Sequence, residues 1–192
     1  IDFDKELELL RFIRQNFDEN AIEIRVDANG AFSENEALYK INQLTGFKLH
    51  SIEQPVQKNH TDTMSVLCKN TNLPIALDEE LIGVFSSSEK ENLLQKIMPQ
   101  YIILKPSFIG GFSGTLEWIS FAEKYNIGWW ITSALESNIG LSAIAQFTFT
   151  LNTKMPQGLG TGSLYTNNFD CPLIVEKGQL WYKPELDWKV DL

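Results

Sequence analysis

Cysteine and histidine are scarce in this chain of 192 residues. Cys68 and Cys171 are too few and too far apart to form a disulfide framework or a Cys-x-x-Cys metal knuckle, so a reducing cytoplasm is the expected compartment. His50 and His60 show no ligand spacing, and ordinary roles are expected for both. No apolar run reaches the roughly eighteen residues that a membrane helix needs. No charged segment followed by an apolar stretch opens the chain as a secretion signal would. It opens on Ile1 rather than Met, which predicts a processed or cut N-terminus. A formal net charge of −9 argues against a nucleic-acid partner, which needs clustered Lys and Arg. No linker or low-complexity segment interrupts the chain, so a second complete domain is not expected.

What remains is a soluble α/β pattern with 43% apolar residues, enough for one sizeable core. The first sixteen or so residues, "DFDKELELLRFIRQNF", read as an amphipathic helix with Phe3, Leu7, Leu10 and Phe17 at helical spacing and Leu9 and Ile13 widening the stripe. The segment 22–26 reads as a strand. A helix follows from about Ser33, where Ser33 and Glu36 form a capping-box pattern. "KLHSIE", "LPIALDEE", "YIILK" and "IGWWITSALES" then alternate with helical stretches. "MPQGLGTGSLY" reads as a glycine-rich last strand or loop, and "LIVEKGQLWY" as a hairpin around Lys177-Gly178. Such alternation predicts a parallel sheet with right-handed crossovers. A doubly wound sheet and a β/α barrel both satisfy it.

The ends of four successive strands discriminate between them. Asp27, Glu53, Asp78 and Lys105 each close a strand, at intervals of 26, 25 and 27 residues. One βα unit separates each pair, so all four side chains belong at the same end of the sheet. Ile52, Leu77 and Leu104 immediately precede the charged residues, which turns the apolar side chains toward the helices and the charged ones inward. An open sheet would spread the four along roughly 15 Å; a TIM-type barrel draws them toward one axis at its C-terminal face. Three converging carboxylates repel one another unless a cation lies between them. An all-oxygen set without His or Cys favours Mg²⁺ over zinc. Taken singly, each acid also suits a turn or a helix cap, and Lys105 before Pro106 also suits a solvated strand end.

Four further residues are candidates for the substrate or for support of the site. Asn29 shares the parity of Asp27 and equally suits a turn. Glu79 points away from Asp78 by parity and either supports it or opens the next helix; Glu80 beside it is equally ambiguous. Ser133 and Glu136 lie in "TSALES" at the end of the next strand, where Glu136 either joins the site or caps a helix near Ser137. Gly158, Gly160 and Gly162 do not match a dinucleotide fingerprint, and a tight loop leaving room for a substrate is expected there.

"DANG", "EQP", "LDEE" and "KPSFIGG", in that order on successive strands, resemble the muconate-lactonizing-enzyme subgroup of the enolase superfamily. The likeness covers nearly the whole chain. It implies a (β/α) TIM-type barrel, incomplete here at about six βα units against eight, without the first strands and the N-terminal capping domain. Residues 1–165 would be the partial barrel, and 166–192 a tail whose hairpin packs toward that cap. It also implies Asp27, Glu53 and Asp78 as ligands of Mg²⁺, with Mn²⁺ as a substitute, and Lys105 as the active-site lysine of the family's sixth strand. The "SIEQPV", "ITSALESNIG" and "GLGTGSLY" stretches resemble the branch that eliminates water from a cyclohexadiene carboxylate, a lyase step of menaquinone biosynthesis. There the sixth-strand lysine stabilises an enediolate. The family's acid/base lysine sits in a Lys-x-Lys motif at the end of the second barrel strand, which this sequence does not contain, so residues 1–192 alone are expected to be inactive.

Racemases and dipeptide epimerases of the same superfamily share the ligands, although epimerases carry Asp-x-Asp where this chain has "GLGTG". A reading of another class makes the acids caps in a non-catalytic, metal-binding or structural α/β protein. The expected partner is a small-molecule carboxylate.

Overall fold

The apolar stripe of the first segment becomes helix α1 (Phe3–Asn16), which buries Leu7 and Leu10. Leu9 and Phe17 stay exposed, the second because the helix stops at Asn16. This computed structural model describes residues 2–189; Ile1 and residues 190–192, the outer ends of the expected barrel and tail segments, lie outside them. The chain forms two units, one of Ile1–Ile102 with Ser120–Gly128 and the other of Ile103–Ile119 with Trp129–Leu192.

In the first unit α1 is followed by β1 (Arg25–Asp27), α2 (Glu34–Leu44), β2 (Ser51–Glu53), α3 (Thr61–Asn70), β3 (Ile75–Leu77), α4 (Ser87–Ile97) and the start of β4 (Tyr101–Leu104). The strands are parallel. Asp27 is in register with Glu53, Glu53 with Ala76, and Leu77 with Ile102. Ile75, Ala76 and Leu77 are all buried, as in a parallel strand covered on both faces. Ala37, Ile41 and Leu44 of α2, Met64 and Leu67 of α3, and Leu94 and Ile97 of α4 supply the helical side of the core. Each such large side chain contributes roughly 1.5–3 kcal/mol by leaving water.

The first strand is shorter than the expected 22–26 and ends one residue later. Arg14 explains the loss at its start: its guanidinium takes the Ile22 carbonyl at 2.9 Å together with those of Phe47 at 2.7 Å and Lys48 at 3.1 Å. Asp18 meanwhile holds Asn20 and Ala21 in a turn. The capping box at Ser33 forms as expected, with the Ser33 N–H donating to Glu36 at 3.2 Å.

In the second unit the end of β4 stands beside β5 (Gly128–Ile131), most of which belongs here, and the Thr132 N–H donates to the Leu104 carbonyl at 3.0 Å. Helix α5 (Gly111–Lys124) begins here and ends in the first unit; α6 (Asn138–Thr150) lies wholly here. Strands β6 (Leu173–Glu176) and β7 (Gln179–Tyr182) pair antiparallel. Lys177 and Gly178 both have positive φ, at 52° and 75°, the geometry of a two-residue hairpin turn.

The stretch read as a glycine-rich last strand or loop is a loop with one parallel bridge, Thr132 to Gly158. A Cβ at Gly158 would collide with the Thr132 side chain, and one at Gly162 would lie 2.6 Å from Asn138 Oδ1. The room those two glycines leave is therefore filled by this chain's own side chains.

Candidate active site

Strand register places the acids of the first unit. Asp27 and Glu53 are partners in adjacent parallel strands, so their side chains leave the same face at roughly 5 Å backbone separation. Asp78 lies two residues beyond Ala76, the partner of Glu53, and alternation returns it to that face roughly 8 Å away. Burial deepens along the series: Asp27 is exposed, Glu53 half-buried, and Asp78 only 3% exposed.

Asp27 closes a local turn. The Asn29 N–H donates to its Oδ1 at 2.7 Å and the Asn29 side-chain amide to its Oδ2 at 3.2 Å, with Asn29 at φ 50°. This is the Asx geometry that Asp favours before a bend, and it accounts for both residues locally. Glu79 opens a short 3₁₀ turn, Glu79–Leu81, directly after Asp78.

Gln54, which the sequence did not single out, and Glu80, whose role it left open, hold this end of the sheet together. Gln54 is fully buried; its Oε1 accepts the Asp78 N–H at 3.2 Å and its Nε2 donates to the Val56 carbonyl at 3.0 Å. Glu80, 2% exposed, receives the Asn59 N–H on both oxygens, at 3.1 and 3.4 Å. Burial pushes the Glu80 carboxyl above the ordinary carboxylate range, against the opposing pull of the Asn59 and Gln54 hydrogen bonds and of Lys58 and His60. The one signal for Gln54 was an amide wedged between a strand-ending acid and Pro55.

The histidines and cysteines take ordinary roles among the described residues. His60 pairs with Glu34 at 2.9 Å and His50 packs on Tyr101 at 4.7 Å. Cys68 is a free thiol whose burial pushes its pKa up to about 12.

In the second unit Lys105 follows the last residue of β4 and is half-buried; its carbonyl accepts the Phe108 N–H at 2.8 Å, which starts the turn into α5. Ser133, 4% exposed, accepts the Leu135 N–H at 2.9 Å and the Thr161 hydroxyl at 2.8 Å, linking the loop after β5 to the glycine-rich stretch. Glu136 does not cap α6. It accepts the Ala134 N–H at 2.9 Å and the Ser107 hydroxyl, while the Asn168 side chain accepts the Asn138 N–H at 2.8 Å.

An all-oxygen donor set on one sheet face fits a hard divalent cation by its chemistry. Among the described residues no three His, Cys, Asp or Glu side chains are gathered into a metal-holding cluster, and the Asp27 carboxylate is turned onto Asn29. The set is thus complete in composition and shared face, with the carboxylates not drawn together.

Residues 2–184 match the family described as Enolase C-terminal domain-like. The chain belongs to that family. Across 180 residues it is 54% identical to the o-succinylbenzoate synthase of Desulfotalea psychrophila, covering 94% of the chain and 49% of that protein. The crystal structure of MenC from the same organism matches with a TM-score of 0.91, again at 54% identity, over 94% of this chain and 50% of that one. The L-Ala-D/L-Glu epimerase of Bacillus subtilis is 28% identical over 82% of the chain and 40% of its own length. Muconate lactonizing enzyme from Pseudomonas fluorescens, solved with muconolactone, matches the whole chain and 52% of its own at a TM-score of 0.86 and 27% identity. The chain spans about half the length of the curated relatives it matches. The enolase-superfamily resemblance and the partial TIM-type β/α fold expected from the strand ends are both borne out.

Proposed function

We propose that the protein carrying this chain is a Mg²⁺-dependent hydro-lyase of menaquinone biosynthesis. In this reading it dehydrates 2-succinyl-6-hydroxy-2,4-cyclohexadiene-1-carboxylate to o-succinylbenzoate in the cytoplasm. The observation that carries the reading is identity: 54% to an o-succinylbenzoate synthase against 28% to a dipeptide epimerase.

Asp27, Glu53 and Asp78 would hold the cation, Asp27 exchanging its bonds to Asn29 for it. Bound there, Mg²⁺ or Mn²⁺ would supply positive charge that favours an anionic enediolate over the substrate. Lys105 brings an ammonium to the same intermediate. It is a stabilising cation, and a lysine of a Lys-x-Lys motif outside residues 1–192 moves the proton. Ser133, Glu79 and Glu136 order the surrounding loops. The segment 166–192 is proposed to pack its hairpin toward a capping domain, and residues 1–192 alone to be inactive.

The test is an assay of the intact protein with both the cyclohexadiene carboxylate and an N-succinylamino acid. Dehydration outpacing racemisation is expected; racemisation without dehydration would replace this reading with the racemase one.

A further inference from the structure

Gln54 does more than follow an acid. Its main chain and side chain contact the segments that succeed all three acid-bearing strands of the first unit. The Gln54 carbonyl accepts the Gly30 N–H at 2.7 Å, three residues after Asp27. Its own N–H donates to the Ala76 carbonyl at 3.0 Å, two residues before Asp78, and its Oε1 receives the Asp78 N–H itself at 3.2 Å. Its Nε2 closes the loop after β2 through the Val56 carbonyl at 3.0 Å. Neighbouring contacts run the same way. The Phe32 N–H donates to the Pro55 carbonyl at 3.0 Å, Glu80 takes the Asn59 N–H, and the Lys58 ammonium donates to the Ile82 carbonyl.

Two physical features separate this from ordinary filling of the interior. Gln54 has φ 35°, in the left-handed region that glycine occupies at least cost. A glycine there could make neither side-chain bond. The site also needs an uncharged group with one acceptor and one donor at fixed separation, because a buried amide left unpaired at either end is costly. Glutamine meets both demands at a position with no solvent exposure.

We infer that Gln54 is a positioning residue that sets the relative placement of Asp27, Glu53 and Asp78 for cation binding, acting on Asp78 through its backbone N–H. The inference rests on the proposed role of those acids as ligands. Hydrogen-bonded supports of metal ligands are commonly worth a 10–100-fold change in affinity, and the same range is expected here.

Calorimetric titration of the intact protein with Mg²⁺ tests it. Gln54→Met, which keeps the shape and removes both side-chain bonds, should weaken Mg²⁺ binding about 10–100-fold. Leu94→Ala, a core truncation in α4, should lower the melting temperature yet leave the affinity unchanged, a pattern that separates positioning from stability. Loss of binding in Asp78→Asn with wild-type affinity in Gln54→Met overturns the role of Gln54 and spares the ligand reading. Wild-type affinity in Asp78→Asn, or no binding by the wild type, overturns both. If Gln54→Met does not fold, hydrogen exchange on the wild type decides: the Asp78 amide should exchange more slowly once Mg²⁺ is added, and an unchanged rate overturns the inference.

Discussion

Asp78 is the most buried of the three acids, and its carboxylate has the fewest ways to trade one partner for water. Replacing it with Asn keeps the shape and removes the charge that a divalent ion would neutralise. Since supporting groups alone are worth 10–100-fold in metal affinity, Asp78→Asn should cost on the order of 100-fold or more, with a parallel loss of Mg²⁺-dependent turnover. Equilibrium dialysis and initial rates would check both. The placement of the acids was legible in the sequence because one charged residue ends each strand and a fixed interval separates the strands. Gln54 was not, and the role of Glu80 stayed open, because their partners are main-chain groups of other segments: the Asp78 N–H in one case and the Asn59 N–H in the other. No periodicity in a single segment reports such a pairing.

The helices of the first unit are stitched by carboxylates at their surface. Glu34 at the start of α2 accepts the Thr63 hydroxyl of α3 and pairs with His60; Glu91 of α4 pairs with Lys124 of α5 and accepts the Tyr125 hydroxyl. The Thr63 hydrogen bond, and then His60, hold the Glu34 carboxyl below the ordinary range; for Glu91 the Lys124 and Tyr125 hydrogen bonds do so. A carboxyl whose folded pKa is depressed stabilises the fold above its unfolded pKa and loses that contribution as pH falls through the folded value. Glu91→Gln should therefore melt below the wild type at pH 7, and the gap should close as pH drops beneath the ordinary glutamate value of 4.5. A gap that does not narrow as pH falls below that value would contradict this. The glycine-rich stretch makes a second prediction. Because a Cβ at Gly158 would strike Thr132, Gly158→Ala should destabilise by roughly 1–3 kcal/mol, as overpacking does, measurable by denaturant titration. That it forms a loop was legible, but its occupant was not: glycine spacing signals room without saying what fills it, and here Thr132 and Asn138 do.

Across the chain as a whole, the fold reading and the family resemblance agree with the comparisons, while the proposed chemistry draws on more than residues 1–192. The account assigns the cation and Lys105 to this chain and the proton-moving lysine to a motif it does not contain. An isolated 192-residue polypeptide should accordingly show no dehydration of the cyclohexadiene carboxylate even with saturating Mg²⁺, and full turnover by it would refute that division of labour. The central claim is that three strand-end carboxylates work through one bound cation. The most direct measurement is the rate at which the intact protein forms the aromatic product before and after exhaustive chelation, with Mg²⁺ then restored. The account predicts that turnover vanishes on chelation and returns with Mg²⁺; turnover indifferent to metal removal would contradict it.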